Sequence, residues 1–132
     1  MIDACDAALF ALRCAEGALG GVWNVTGRPM PLSELLDAIR RAAGSEAEIV
    51  WVDGGAVVAA GIEPWSELPL MTPPGEGFRH FLEVDAARAR AAGLSTRPLD
   101  ETLDSLLAWD RSRRERPLQC GIGPEQEAAL LG

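Results

Sequence analysis

The side chains best suited by type and spacing to bind a ligand stand in a proline-rich stretch, residues 62–77. Four prolines stiffen this stretch, and Trp65, Leu68, Pro69 and Met71 lie within it. A proline-dense loop of this length is uncommon inside a small domain, and when ordered it is often functional. We therefore expect these four side chains to form one wall of a ligand pocket. An equally supported alternative is that these side chains are buried in the hydrophobic core of the domain itself.

Two polar residues, Arg79 and His80, follow the loop in a segment that is predicted as a strand. Both are candidate ligand contacts because of their position near the loop. His80 is the only histidine of the sequence, and a lone histidine more often has a structural or solvated role than a ligand-binding one.

Asn24, Thr26 and Gly27 stand at the end of another short predicted strand, residues 22–25. Side chains at the carboxyl end of a strand can line a ligand cleft. Asn and Thr there can equally satisfy the backbone groups of a turn, and we favour that interpretation.

Two residue types are missing from the sequence, which contains no tyrosine and no lysine; all twelve basic residues are arginines. Any mechanism that needs a tyrosine acid–base or a lysine amine is therefore excluded for this chain acting alone. The three cysteines, Cys5, Cys14 and Cys120, share no close metal-ligand spacing, and His80 is the single histidine, which argues against a zinc site. An odd, widely spaced set of cysteines is typical of reduced thiols in a cytoplasmic protein.

The formal charge of −8 argues against nucleic acid as a partner, because nucleic-acid binding needs a basic face. A phosphate-bearing ligand would need a local cluster of arginines to overcome the overall field. No apolar run reaches the roughly 18 residues that span a membrane, and Asp3 and Asp6 stand where a secretory signal would carry basic residues. We therefore expect a cytoplasmic protein without membrane contact.

The apolar pattern predicts an α/β domain with a small sheet. Helices are predicted over residues 2–15, 32–43, 53–60, 85–92 and 99–114, with a short acidic helix from Pro124. Strands are predicted over residues 22–25, 48–52 and 78–84. Since 48–52 is largely apolar, we expect both of its faces to be covered.

Several of these segments, in this order, resemble the C-terminal part of NAD(P)-dependent epimerase/dehydratase proteins, the extended branch of the short-chain dehydrogenase/reductase family. Residues 2–8, IDACDAA, are similar to the family's I-D-x-x-D-x-A segment, where a helix leaves the core sheet after the catalytic half. Residues 21–27, GVWNVTG, are similar to its G-x-[YF]-N-[VI]-x-G strand, and residues 85–89, DAARA, resemble its late D-x-[SA]-[KR]-A helix start. The resemblance also takes in residues 32–36, 92–94, 97–99 and 101–109, and it ends near Arg111.

The resemblance implies a small C-terminal substrate-binding lobe with a short sheet and several helices, residues 1–116, followed by a tail with a short helix, residues 117–132. The family's G-x-x-G-x-x-G fingerprint and its Tyr-x-x-x-Lys pair are absent from the sequence. The chain therefore looks like a lobe that lacks its Rossmann dinucleotide-binding domain. We expect no catalytic and no cofactor-binding residue in it, and NAD or NADP is implied only for the complete enzyme.

The function that the resemblance implies is the substrate-binding part of an NAD(P)-dependent oxidoreductase or epimerase, not catalytic alone. Its substrate would be a nucleotide sugar or another small carbonyl or alcohol compound. In relatives that act on nucleotide sugars, an arginine in this half commonly binds a diphosphate, a role that Arg79 would take here. A solvated surface arginine is the interpretation that we favour for Arg79.

The expected partners are a small-molecule substrate and a missing or separate dinucleotide-binding domain, with a homo-oligomer left open. This function predicts a large exposed apolar face that involves Leu9, Leu12, Val25 and Trp65. Two alternatives remain: a non-catalytic binding or dimerisation module, and one half of a split enzyme.

Overall fold

The structure is a computed structural model that describes residues 1–113 and 120–132. Within these residues the chain is helical. The α-helices are α1 (Ala4–Glu16), α2 (Leu32–Ala43), α3 (Gly54–Ala59), α4 (Ala87–Ala91), α5 (Leu99–Ser112) and α6 (Pro124–Leu131), and a short 3₁₀ helix spans Glu76–Phe78.

Two helices begin at an aspartate that caps the first turn. The Asp3 carboxylate accepts a hydrogen bond from the Cys5 N–H at 2.8 Å and so starts α1. The Asp53 carboxylate accepts from the Gly55 and Ala56 N–H groups at 2.9 and 3.2 Å and starts α3. A side-chain oxygen in this position replaces the intrahelical partner that the first N–H groups lack. The helices predicted over 2–15 and 53–60 are confirmed, with small shifts at their ends.

The chain divides into two compact units. The first contains Met1–Ala47 and Glu83–Arg113, and the second contains Glu48–Leu82 together with the C-terminal segment. The expected boundary between residues 116 and 117 lies outside the described residues.

The first unit is packed around a small cluster of buried side chains: Phe10 from α1, Ala86 and Ala89 around α4, and Leu94 after it. Trp23 meets the ring of Phe10 edge-on, with the ring centroids 5.8 Å apart. Elsewhere in this unit α2 packs against α5, where the buried residues are Leu35 and Ala38 on α2 and Leu103 on α5.

The predicted fold class is wrong, because the described residues form helices and no strand or sheet. Residues 22–25 are bonded by side chains instead of a neighbouring strand. Arg88 Nη1 donates to the Val22 carbonyl at 3.1 Å, and Asn24 Nδ2 donates to the Asp85 carbonyl at 3.1 Å. A strand needs a partner backbone to satisfy its N–H and C=O groups, and no segment of the first unit supplies one.

The other two predicted strands are wrong for the same reason. Residues 48–52 lie outside any helix or ladder, with Val50 and Trp51 exposed, so the expected covering of both faces does not occur. Residues 78–84 turn tightly: the Arg79 N–H donates to the Glu76 carbonyl and the Phe81 N–H to the Phe78 carbonyl. Among the described residues of the second unit, an isolated bridge joins Pro64 to Leu68.

The second unit has a smaller interior in which Val57 of α3 and Ile62 are buried. Gly54 opens α3, and a methyl group placed on it would lie 3.5 Å from the Met71 Cε atom and 3.8 Å from the Pro74 Cβ atom. The end of the proline-rich loop therefore packs onto the start of α3.

Candidate functional site

The first unit contains a polar cavity of about 160 Å3, lined by Thr26, Arg28, Arg90, Leu94, Ser95 and Thr96. We call it the arginine pocket. Its lining holds two guanidinium groups and three hydroxyl groups around one buried leucine, and no carboxylate. It therefore presents hydrogen-bond donors to whatever enters it.

Gly27 fixes one wall of the arginine pocket. It is buried, its N–H donates to the Met1 carbonyl at 2.9 Å, and a side chain on it would collide with that carbonyl oxygen. Only glycine permits so close an approach of two backbones. Thr26 and Arg28 flank Gly27 in the chain, so both side chains are placed by this contact.

The opposite wall is built from the end of α4. The Leu94 N–H donates to the Ala89 carbonyl at 2.9 Å, which folds the chain back over α4 after Gly93. Gly93 has a φ of 98°, a conformation that favours glycine. The turn places Ser95 and Thr96 beside Arg90.

The two arginines of the pocket differ from Arg13 and Arg88 of the first unit, whose side chains join distant segments. Arg13 Nη1 donates to the Gly93 carbonyl at 3.0 Å. The Arg88 guanidinium lies 4.2 Å above the Trp23 ring while it binds the Val22 carbonyl. Arg28, by contrast, makes no hydrogen bond or ion pair with any described residue.

Arg90 has one weak partner. Its Nη2 atom lies 3.9 Å from the Asp85 carboxylate, which is 83% exposed. An exposed ion pair at this distance contributes little, because water screens it and both side chains lose freedom. The Arg90 guanidinium therefore keeps most of its donor capacity.

A second polar cluster ties α1 to the start of α5 and has a structural role. The backbone N–H of Arg97 donates to Asp6 Oδ2 and its Nε donates to Asp6 Oδ1, both at 2.9 Å, although Asp6 is only 6% exposed. Thr102 Oγ1 donates to Asp3 Oδ2 at 2.9 Å, and Arg97 Nε lies 3.6 Å from that oxygen. The carboxylates of Asp3 and Asp6 are thus both engaged in hydrogen bonds and ion pairs with other residues of the first unit.

The charges of this cluster are reinforced by its hydrogen bonds. The Cys5 backbone N–H, followed by the Thr102 hydroxyl, lowers the pKa of Asp3. The hydrogen bond to Asp6 raises the pKa of Arg97. A carboxylate held in its charged form does not serve as a general acid, so Asp3 is a cap and a bridge and not a proton donor.

The residues predicted to contact substrate, Trp65, Leu68, Met71, Arg79 and His80, all lie in the second unit. Leu68 and Met71 are half-buried, and Trp65, Arg79 and His80 are exposed. The Leu68 carbonyl accepts hydrogen bonds from the Trp65 and Met71 N–H groups, each at 3.2 Å, so these three residues are joined through one turn. Arg79 forms an exposed ion pair with Glu76 at 3.2 Å.

The loop around Trp65 is organised by two glutamates and by aromatic stacking. Glu67 Oε2 accepts from the Glu63 N–H at 2.8 Å, and this bond lowers the pKa of Glu67. The Trp65 ring meets Phe81 edge-on, with centroids 5.7 Å apart. Trp65 and Leu70 have φ angles of 70° and 71°, which are strained for bulky side chains.

Within residues 1–113 and 120–132, the glycine-rich segments do not fit the pyrophosphate of a dinucleotide. Gly54 and Gly55 open α3, but the Asp53 carboxylate already occupies the N–H groups of Gly55 and Ala56 that would face a pyrophosphate. Gly17, Gly20 and Gly21 follow α1 instead of preceding a helix. We therefore derive no chemical step through NAD or NADP on this chain.

Sequence reasoning missed most of the arginine pocket. Thr26 was considered as a possible cleft residue, but Arg28, Arg90, Ser95 and Thr96 were not. Arg28 and Arg90 lie far apart in the sequence and belong to no shared motif, so only the folded chain brings them together. The one available signal was the position of Arg28 directly after the segment that ends at Gly27.

The chain matches no family model, no curated protein and no solved structure. Among residues 1–113 and 120–132, no helix is both long enough and apolar enough to cross a membrane. Within the same residues, no three His, Cys, Asp or Glu side chains group closely enough to hold a metal ion.

Proposed function

We propose that this chain is the substrate-binding part of an NAD(P)-dependent oxidoreductase or epimerase, and that it is not catalytic alone. Its partner is a dinucleotide-binding domain, on the same or another polypeptide, that carries the tyrosine, the lysine and the glycine-rich loop. The proposal rests on the resemblance of residues 2–109 to the extended short-chain dehydrogenase/reductases and on one feature of α1.

The observation that carries the proposal is the uncovered apolar side of α1. Phe10 faces the core, but Leu9 and Leu12 on the same helix are 61% and 59% exposed. Cys5, Ala8, Leu9, Leu12 and Ala15 are all exposed and follow helical spacing. We call these five residues the α1 open face.

A helix that is apolar on both sides is normally buried on both sides. The α1 open face therefore fits a helix with a missing neighbour better than a finished surface. In the resembled family this helix leaves the core sheet directly after the catalytic half, which is where a dinucleotide-binding domain would cover it. Of the residues expected on the exposed face, Leu9, Leu12 and Trp65 are exposed, whereas Val25 is half-buried against the core.

Residues 22–25, which follow α1, also support a dinucleotide-binding domain as the partner. Val22 is 84% exposed, and residues 22–25 make no backbone-to-backbone hydrogen bond with any described residue. Backbone groups that have no backbone partner can pair with a strand from another domain. Residues 22–25 and the α1 open face belong to the same unit.

In this proposal the chain supplies contacts to substrate and no proton transfer. Trp65 is an exposed aromatic residue of the unit that contains Arg79 and His80, and its ring meets that of Phe81. An apolar ring with a polar neighbour suits a sugar or another small polar compound.

The DNA that precedes the Met1 codon tests the proposal. We expect a G-x-x-G-x-x-G motif and a Tyr-x-x-x-Lys motif either in frame with this chain or in an adjacent gene. If neither location encodes them, the enzyme proposal fails. As a control, the purified chain alone should not change the fluorescence of NADH or NADPH, and saturable binding would contradict the account.

A dimerisation module is the second candidate, because the α1 open face also fits another copy of itself. Sedimentation velocity of the wild type and of a Leu9→Ser, Leu12→Ser double variant distinguishes the two. A dimer that the double variant abolishes supports the module. If the wild type and the double variant are both monomers, the result favours a dinucleotide-binding domain as the partner of the α1 open face.

A further inference from the structure

We propose that the arginine pocket of the first unit binds a single phosphoryl group, as free phosphate or as the end of a phosphorylated small molecule. This site belongs to the first unit, whereas the residues assigned to substrate all belong to the second unit. It does not depend on the proposed function, because it follows from the first unit alone.

The chemistry of the lining selects an anion with several oxygens. Arg28 and Arg90 offer planar guanidinium forks, and Thr26, Ser95 and Thr96 offer hydroxyl donors. Guanidinium forks pair with phosphate through two parallel hydrogen bonds, and these charge-assisted bonds are stronger than neutral ones. With no carboxylate in the lining, a cation has no ligand there.

The position of the arginines is informative because the chain carries a formal charge of −8. An acidic protein repels phosphate unless basic groups are concentrated locally. The fold creates such a concentration from two residues that lie far apart in the sequence. Arg13, Arg88 and Arg97 are occupied by backbone or carboxylate partners, whereas Arg28 and Arg90 keep donors for a ligand.

The size of the pocket limits the ligand. A cavity of about 160 Å3 holds about five water molecules at the roughly 30 Å3 that each takes in the liquid. Pockets for drug-sized ligands have volumes of about 300–1,000 Å3. One phosphoryl group therefore fits inside, and the remainder of a larger phosphorylated molecule would lie outside the cavity.

Titration of the full chain with inorganic phosphate, followed by backbone amide NMR at constant ionic strength, tests the site. We expect saturable shifts at Thr26, Ser95 and Thr96. Arg28→Gln and Arg90→Gln should each weaken binding about tenfold, which corresponds to the loss of one charge-assisted hydrogen bond.

Arg41→Gln is the matched control, because it removes the same charge from an exposed residue of α2 outside the pocket. It should leave the affinity within about twofold. Shifts that grow linearly without saturation, or an equal loss of affinity in all three variants, would overturn the proposal.

A second titration, with glycerol 1-phosphate, identifies the source of the phosphoryl group. Saturable binding at least about tenfold tighter than that of inorganic phosphate would indicate a phosphorylated small molecule. Similar affinities for both, again lost in Arg28→Gln, would indicate recognition of phosphate alone. If neither compound perturbs the pocket residues, the site does not exist.

Discussion

The two units of this chain are held together in different ways. In the first unit, polar side chains join residues that are far apart: Arg97 bonds to Asp6 over 91 positions, and Thr102 bonds to Asp3 over 99. Among the described residues of the second unit, contacts such as the Glu63–Glu67 hydrogen bond are local, whereas the Gln126–Glu67 hydrogen bond is long-range. The comparison indicates that the first unit is the more cooperative part, whereas the second is a set of turns that opens more easily.

The aromatic residues show the same difference. Phe10 of the first unit is 4% exposed, whereas Phe81 of the second is 52% exposed even though it meets both Trp65 and Phe78. Rings that stack in contact with water stabilise a fold less than rings in a core, because much of their surface stays hydrated. They remain available for a ligand or a partner.

The largest expected effect comes from truncation of one phenylalanine in each unit. Phe10→Ala should lower the free energy of unfolding by about 4 kcal/mol, because it leaves a cavity beside Trp23, Ala89 and Leu94. Phe81→Ala should lower it by less than about 1 kcal/mol. Urea denaturation followed by circular dichroism measures both, and equal losses would remove the distinction between the units.

Removal of the buried carboxylate should have the next largest effect. Asp6→Asn takes from the half-buried Arg97 the nearer of its two carboxylate partners, with only Asp3 left at 3.6 Å, so the free energy of unfolding should fall by about 3 kcal/mol. Asp104→Asn, on the exposed side of α5, removes the same charge and should change it by less than about 0.5 kcal/mol. A similar cost for both variants would show that the long-range pair does not stabilise the first unit.

Acid should remove a smaller contribution from Asp3. Its pKa is lowered in the folded chain, first by the Cys5 N–H and then by the Thr102 hydroxyl. A lowered pKa stabilises the fold above the ordinary value of 3.8, and this stabilisation is lost as the pH falls below 3.8.

The difference in free energy of unfolding between wild type and Asp3→Asn should therefore be present at about pH 7 and shrink below about pH 4. Denaturation curves across this range measure it. Glu67→Gln should behave in the same way in the second unit, since the pKa of Glu67 is also lowered. If the difference in free energy of unfolding between wild type and Asp3→Asn does not depend on pH, the charge of Asp3 does not stabilise the fold.

The smallest expected effect is a gain in stability in the strained loop. Leu70 has a φ of 71° and is 43% exposed, and asparagine adopts this conformation more readily than leucine does. Leu70→Asn should raise the free energy of unfolding by about 0.5 kcal/mol, and the melting temperature should rise slightly as a result. Leu82→Asn is the control at an exposed leucine without positive φ, and a gain there of the same size would contradict the strain argument.

The helices could be predicted from the sequence, and the strands could not. The helix over 32–43 coincides with α2, because the spacing of Leu35, Ile39 and Ala43 and the glycine at 44 define a helix locally. Residues 22–25 and 48–52 have the composition of strands, but a strand also needs a partner, and local composition does not reveal whether one is present.

The candidate sites were predictable to a different extent. The prolines mark the loop that carries Trp65 in the sequence, and in the structure this loop is joined at Leu68 and packed at Met71. Its role in ligand binding stays a prediction. The arginine pocket was not recognised, because Arg28 and Arg90 meet only through the backbone contact of Gly27 and the turn after α4. Sites made from distant single residues leave no local pattern.

The central claim is that a dinucleotide-binding domain covers the α1 open face. Cys5 belongs to that face and is exposed, and Cys120, exposed in the second unit, is an internal reference. Thiol labelling followed by mass spectrometry compares the chain alone with the complete enzyme. The account predicts that Cys5 reacts readily in the chain alone and at least about tenfold more slowly in the complete enzyme, while Cys120 reacts equally in both. Equal reactivity of Cys5 in the two samples would contradict it.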